Sequence, residues 1–377
     1  MSAPKDTSPE ANTTTITPNP LALFLNRAKA PPPEPHAKQT FAARCRCGTI
    51  QYTVTLPTSI LHLSAYICSC APCRRTTGAL CAFHAALPPG ITPEWTSSAV
   101  HLTAFKTPAQ RLSCPTCGAQ AGHFDPRAGQ WVVPPPLFAA RFWTWTAAGC
   151  AFPRSPRDGG LLSWVPALGL ASVGAERDGP PDDDALEVGL DGEERLRAAC
   201  ACGGVSFALP RPGDAVRAHP YTRQYVSPAD PRKWKAFVDF SRDCRLLTSA
   251  HCVPWVLVPR VVLEPAVPPD LRFGTMKVYR SSEKVTRGFC GRCGATVFIK
   301  TKDRSPNEES EVLNIAMGIL RAPEGAKAEN WVTWRAGKPA WVDDGRKFDP
   351  EFVDAVVEGQ RKWAMDKYGE ALDFDVI

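Results

Sequence analysis

The stretch ICSCAPCRR, residues 67–75, brings Cys68, Cys70 and Cys73 close together and follows them with Arg74 and Arg75. Thiolates are strong ligands for zinc, and three of them leave a tetrahedral ion one position short, the pattern of a catalytic site. Pro72 stiffens the turn between the second and third sulfurs. Three thiolates on Zn²⁺ carry a net negative charge, so the ion would be a poor activator of water. It could still accept a substrate sulfur as its fourth ligand, provided cations offset the added charge. Arg74 and Arg75 are placed in the chain to do that, or to hold a substrate carboxylate. The expected ligand is a small anionic thiol or its adduct. Two plainer readings stand beside this one: Cys81 could close the site with a fourth sulfur, and the arginines could be solvated surface charge. His62 and His84 are the nearest histidines along the chain, and His84 reads as a scaffold residue.

Two further sets of cysteines have the spacing of closed zinc sites. Cys45 and Cys47 pair with the distant Cys114 and Cys117; Cys200 and Cys202 pair with Cys290 and Cys293. Glycine follows each short pair, at 48, 118, 203 and 294, where a tight turn needs it. Four sulfurs at ~2.3 Å complete a tetrahedral ion and leave no vacancy, so these sites are structural. The expected complement is two Zn²⁺ in the first half and one in the second. In the second half the three-cysteine cluster is replaced by VDFSRDCRL, residues 238–246, with Asp239 and Ser241 at the first two sulfur positions and Cys244 at the third. That set is weak for metal, although Asp239, Cys244 and His251 leave a mixed site open. Arg242 and Arg245 add positive charge there. Cys150 and Cys252, in apolar surroundings, read as small buried hydrophobes.

The elements that must position these residues repeat. CRCGTIQYTV and CACGGVSFAL each lead from a Cys-Xaa-Cys-Gly turn into an alternating strand, with Ile50, Tyr52 and Val54 in one and Val205 and Phe207 in the other. CPTCGA and CGRCGATVFI close the frames, each preceded by a strand-like piece, HLTAF and MKVYR. The chain is therefore expected to be mainly β, with two tandem zinc-stapled domains of small antiparallel sheets. The divisions are a disordered tail over 1–40, a first zinc domain over 41–170, an acidic linker over 171–196, a second zinc domain over 197–345, and a C-terminal helix and tail over 346–377. In that helix Asp349 is the expected N-cap, Pro350 fits the first turn, and Phe352, Val356, Val357 and Trp363 give one apolar face. It is expected to pack on the second domain.

Composition bounds the rest. The 377 residues include 38 prolines and 11 tryptophans, which suits short strands and loops better than helical bundles. A net charge of +6, from 44 basic and 38 acidic residues, is no nucleic-acid signature. No apolar run approaches the ~20 residues of a membrane span. The N-terminus lacks the order of a secretory signal, so the 15 cysteines are expected in a reducing cytoplasmic or nuclear setting, as metal ligands.

CRCGTIQYTV, CSCAPCRRTTG and CPTCG together resemble the glutathione-dependent formaldehyde-activating enzyme and centromere protein V family. CACGG and FCGRCGATVF repeat the outer parts of that motif, so the resemblance covers two tandem copies, roughly 41–165 and 197–345, the second degenerate. It implies a β-tent fold, one closed four-cysteine zinc site, and a three-cysteine zinc site associated with activity. The implied reaction joins glutathione and formaldehyde into S-hydroxymethylglutathione, and members are commonly carbon–sulfur lyases. The alternative reading is a non-catalytic zinc scaffold for protein or chromatin partners, since centromere protein V is a chromatin and microtubule factor.

Overall fold

A computed structural model describes residues 37–96, 102–106, 110–145, 149–173, 184–304 and 307–376. Most of the expected N-terminal tail and the middle of the expected linker lie outside these residues. The architecture is mainly β, with several small sheets and, among the described residues, five helices. None of these helices is long and apolar enough to cross a membrane.

Alternation of residue type explains the strands that begin each half. In Gln51–Pro57, Tyr52, Val54 and Leu56 point inward while the residues between them are exposed or half-buried. This strand pairs antiparallel with Lys38–Arg44, and Glu94–Trp95 completes a three-stranded sheet. The corresponding sheet of the second half uses Glu187–Val188, Glu194–Ala199 and Ser206–Pro210.

The larger sheets share one path. In the first half the order runs Leu63–Cys68, Ala82–Ala86, Gln130–Val133, Gln120–Asp125, Gln110–Ser113 and Thr103–Lys106. In the second it runs Trp234–Asp239, Val253–Pro259, Val312–Ala316, Thr296–Thr301, Val285–Cys290 and Met276–Arg280. Even the irregularities agree: register shifts occur between Leu112 and Ser113 and between Gly288 and Phe289, each just ahead of a Cys-Xaa-Xaa-Cys turn.

The main hydrophobic core runs through both halves, which contact each other reciprocally. Arg46 N donates to Leu246 O (3.4 Å), and its counterpart Ala201 N donates to Arg75 O (3.0 Å). Gly118 and Gly294 meet at the centre with φ of 80° and 77°. A Cβ on Gly118 would lie 2.9 Å from the Gly294 carbonyl, and one on Gly294 would lie 2.5 Å from Ser113. Only glycine permits both the left-handed backbone and this approach.

The last helix spans Pro350–Tyr368, with Asp349 accepting from Phe352 N as the cap. Its packing differs from the expectation. Phe352 lies edge-on to Phe83 of the first half (5.2 Å), and Trp363 meets Trp164 (5.6 Å). A Cβ on Gly359 would sit 1.9 Å from Trp164 O, so the helix backbone rests directly on the first half. Burying a side chain such as Phe352 is worth roughly 1.5–3 kcal/mol. The helix thus fastens the two halves together instead of ending the second.

Candidate metal centres

The two four-cysteine frames assemble as their spacing requires. Sulfurs ~2.3 Å from a common ion lie about 3.8 Å from one another in a tetrahedron. Cys45 to Cys47 is 3.3 Å, Cys47 to Cys114 3.5 Å and Cys45 to Cys114 4.0 Å, with Cys117 in the same group. In the second half Cys200 to Cys202 is 3.6 Å and Cys202 to Cys290 3.4 Å, with Cys293 beside them. These separations far exceed a disulfide bond of ~2.05 Å, and all 15 cysteines are free. Backbone N–H groups point at the sulfurs at matching places: Ile50 N donates to Cys45 and Val205 N to Cys200, both at 3.3 Å.

Electrostatics favours an ion in these frames. Sulfur–sulfur hydrogen bonding, chiefly with Cys114, holds Cys47 far below the ordinary thiol value, while Cys117 is pushed far above it by the same neighbour. Hydrogen bonding from Cys117 brings Cys114 down to about 7. Four thiols this close cannot all ionise unaided, and a divalent cation removes the conflict.

The third cluster is built by a strand, a turn and a helix. Cys68 ends Leu63–Cys68, Cys70 is the N-cap of the helix Ala71–Thr77, and Cys73 lies in its first turn. Gly78 stops the helix in a left-handed conformation. Cys68 and Cys70 are 3.4 Å apart, and Cys68 and Cys73 are nearly fully buried while Cys70 is half-buried. Hydrogen bonds from Cys68 and then Cys70 hold Cys73 well below the ordinary thiol value. Residues 40–137 match the family model of the glutathione-dependent formaldehyde-activating enzyme. The match takes in the first four-cysteine frame and the whole three-cysteine cluster, and the second half lies outside it. No curated protein and no solved structure matches the chain.

Two residues that sequence reasoning left out of the site stand beside these sulfurs. Arg111 donates to Cys73 Sγ through its terminal nitrogen (3.0 Å). Burial works against its charge, yet the three sulfurs, Cys73 foremost, hold its pKa above the ordinary value. His84 reaches the cluster by strand pairing. It sits opposite Tyr66, two residues before Cys68 on the same strand face, and its Nε2 lies 3.7 Å from Cys73 Sγ. Cys68, Cys73 and His84 form a group that could hold a metal, all ligand atoms within 4.8 Å. Cys81, weighed as a closing sulfur, is buried but belongs to no such group among the described residues.

Arg74 and Arg75 are engaged elsewhere. Arg74 is 1% exposed, and its Nε donates to Ser69 O at 3.1 Å. Arg75 binds both carboxylate oxygens of Asp184, at 2.6 and 2.7 Å. The space beside the cluster, lined by His84, Arg111 and His123, is about 20 Å³, room for one water.

At the corresponding place in the second half, Cys244 Sγ donates to Asp239 Oδ2 (3.2 Å) and accepts from Arg287 (3.4 Å). Ser241 caps the helix Arg242–Thr248, its Oγ accepting from Cys244 N. Burial pushes the Cys244 thiol up to about 12. His251 packs against Phe352 (5.0 Å) and Trp145 (5.4 Å), and Asp239, Cys244 and His251 form no group that could hold a metal among the described residues. Cys150 and Cys252 are buried, 6% and 2% exposed.

Proposed function

We propose that this chain carries two tandem units of the glutathione-dependent formaldehyde-activating type, each stapled by a zinc ion in its four-cysteine frame. In this reading a third zinc, on Cys68, Cys70 and Cys73, serves a carbon–sulfur lyase-type reaction on a small thiol adduct. The observation that carries it is the sulfur trio with Arg111 set against Cys73 inside the matched residues. When bound, zinc would supply a Lewis-acidic anchor that favours a substrate sulfur as its thiolate.

The chain's own residues account for the rest. Arg111 holds Cys73 as thiolate and offsets the charge that a further sulfur anion brings, the part expected of Arg74 and Arg75. Half-buried Cys70 marks the side from which a ligand approaches. His84 is placed for proton transfer. In the cleavage direction an S-hydroxymethyl adduct loses its hydroxyl proton, the C–S bond breaks with its electrons going to sulfur, and formaldehyde and thiolate separate. Addition is the reverse.

A second reading rests on the same histidine. If His84 is the fourth ligand, the site is closed and the molecule is a zinc scaffold for partners. Zinc content and thiol-dependent formaldehyde consumption, measured on the parent, Cys70→Ala and His84→Ala, separate the two. The enzyme reading expects three zincs in the parent, two in Cys70→Ala with turnover lost, and three in His84→Ala with an altered pH–rate profile. Loss of the third zinc in His84→Ala, with no thiol-linked turnover in the parent, would establish the scaffold.

A further inference from the structure

The place that holds the sulfur cluster in the first half is a cavity in the second. It measures about 600 Å³, against about 20 Å³ beside the first-half cluster, and falls in the range of small-molecule sites. Its walls come from the counterparts of the first-half site: Asp239 and Ser241 at the first two sulfur positions, and Arg287 in the place of Arg111.

The charges in the wall are unevenly satisfied. Each carboxylate has a donor. Asp243 pairs with Arg46 (2.6 Å), Asp303 with Lys284 (2.7 Å), and Asp344 accepts from Arg242 N (2.6 Å). Asp239 uses one oxygen for Ser241 N (2.7 Å) and the other for Cys244. The two inner guanidiniums, like Asp239 and Asp344, meet only neutral partners. Arg287, 8% exposed, donates to Ser281 Oγ (3.1 Å) and Cys244 Sγ. Arg304 donates to the Asn314 side chain, and its buried Nε has no hydrogen-bond partner. Neither forms an ion pair with a carboxylate among the described residues. A buried cation facing an open cavity with only neutral acceptors favours an incoming anion. With Asp243 and Asp303 paired to Arg46 and Lys284, the guanidiniums of Arg242, Arg287 and Arg304 face the carboxylates of Asp239 and Asp344, an excess of about one positive charge that suits a monoanion over a phosphate dianion.

The apolar part of the wall is Phe237, Val285 and Ile299, with Trp341 beside them. Trp341 is 59% exposed and holds a φ of 60°, a conformation that bulky side chains rarely adopt. An exposed indole kept in such a backbone beside a cavity is a feature of ligand-binding positions.

We infer that this cavity binds a small organic carboxylate with a flat apolar body, its carboxylate on Arg304 and Arg287 and its body against Trp341. The inference stands apart from the zinc chemistry of the first half, because no sulfur-cluster residue lines the cavity.

Calorimetric titration of the full-length, zinc-replete protein tests it, with 2-naphthoate, the neutral 2-naphthalenemethanol and inorganic phosphate as probes. Saturable one-to-one binding of naphthoate is expected, about tenfold or more tighter than the alcohol, from the hydrogen bonds to a charged partner. Arg304→Gln should remove that preference while leaving the weak binding of the alcohol. Trp341→Ala should weaken both aromatic probes, and both variants should unfold as cooperatively as the parent. No saturable naphthoate binding at millimolar concentration would overturn the inference. So would an unchanged acid-to-alcohol ratio in Arg304→Gln, or phosphate binding as tightly as naphthoate. Binding that vanished in Cys70→Ala but persisted in Arg304→Gln would place the ligand in the first half and refute the assignment.

Discussion

The three-cysteine cluster and its counterpart around Cys244 occupy the same strand–helix–strand corner and present opposite chemistry. In the first half three sulfurs, Arg111 and His84 fill the corner and leave space for one water. In the second, aspartate and serine stand in for two sulfurs, tryptophan replaces the histidine across the strand pair, and a large cavity with charged and apolar walls opens. The arginine remains in both, bound to the one sulfur that both keep. The same corner therefore folds with three sulfurs or with one, because the four-cysteine frame and the shared core hold it from outside.

The largest expected effect tests that support. Cys114→Ser and Cys293→Ser each remove one ligand from a closed frame. Each should lose about one zinc and about 5 kcal/mol or more of stability, given apparent structural zinc affinities of about 10–16 kcal/mol in small domains. Zinc analysis with chemical denaturation reads both quantities. If either variant loses its zinc while its denaturation midpoint stays put, that half is held by its core alone, and the comparison of two equally stapled corners fails.

Next in size is a graft across the two corners. Asp239→Cys with Ser241→Cys recreates three sulfurs around the start of the helix Arg242–Thr248 with Arg287 already in place. We expect one additional zinc per chain, while Cys70→Ala loses one and weakens that site about a hundredfold or more. An unchanged zinc count in the double variant would show that the second corner lost shape as well as sulfur.

How much of this was readable in the chain follows the range of each contact. The frames and the turn of Cys68, Cys70 and Cys73 are local patterns, and short spacing with glycine makes them visible. His84 was not, because it meets the cluster through the pairing of two strands, and register is set by the folded sheet. Arg111 was readable in principle: RLSC and RGFC place an arginine three residues ahead of Cys114 and Cys290, and only the internal comparison of the halves exposes it. The same comparison corrects Arg74. Its counterpart Arg245 is kept where the sulfurs are gone and donates to Pro136 O, so this position reads as structural. The seating of the last helix on Trp164 depends on contacts almost two hundred residues apart in the chain, which no local pattern encodes.

A smaller effect probes the seam between the halves. Gly118→Ala puts a Cβ 2.7 Å from the Phe289 ring at a left-handed backbone, whereas Gly203→Ala meets nothing within 4 Å at a similar φ. The first should cost about 2–3 kcal/mol and the second about 1 kcal/mol, measured by chemical denaturation. Equal costs would mean that the seam yields, and that the two corners are coupled more loosely than their reciprocal contacts imply.

The smallest effect concerns a position where the halves differ beneath the corner: Leu80 in the first, His251 in the second, both buried. His251 packs between Phe83 (4.6 Å) and Phe352 (5.0 Å), with Nδ1 3.7 Å from Asp349 Oδ2. Burial, then the charges of Arg245 and Arg141, hold its pKa well below the ordinary value, and burial raises that of Asp349. The ring is therefore held toward its neutral form and its contact with Asp349 is not an ion pair; the carboxylate pairs with Arg141 instead (3.3 Å) and accepts from Trp145 Nε1 (3.0 Å). Because the folded pKa of His251 lies below the unfolded one, the unfolded chain takes up the proton first on acidification. The stability tied to the neutral ring is intact above the ordinary histidine value of about 6.5 and is lost as pH falls below it, by up to about 1.4 kcal/mol per pH unit. His251→Leu gives the second half the residue of the first and should remove this slope, so denaturation at about pH 7.5 and about pH 5.5 should cost the variant less than the parent. Zinc release at low pH acts on both proteins and cancels in the difference. Parallel losses would mean that His251 is protonated in the folded state and paired with Asp349, which would make this buried contact a charged link between the second half and the helix that fastens it.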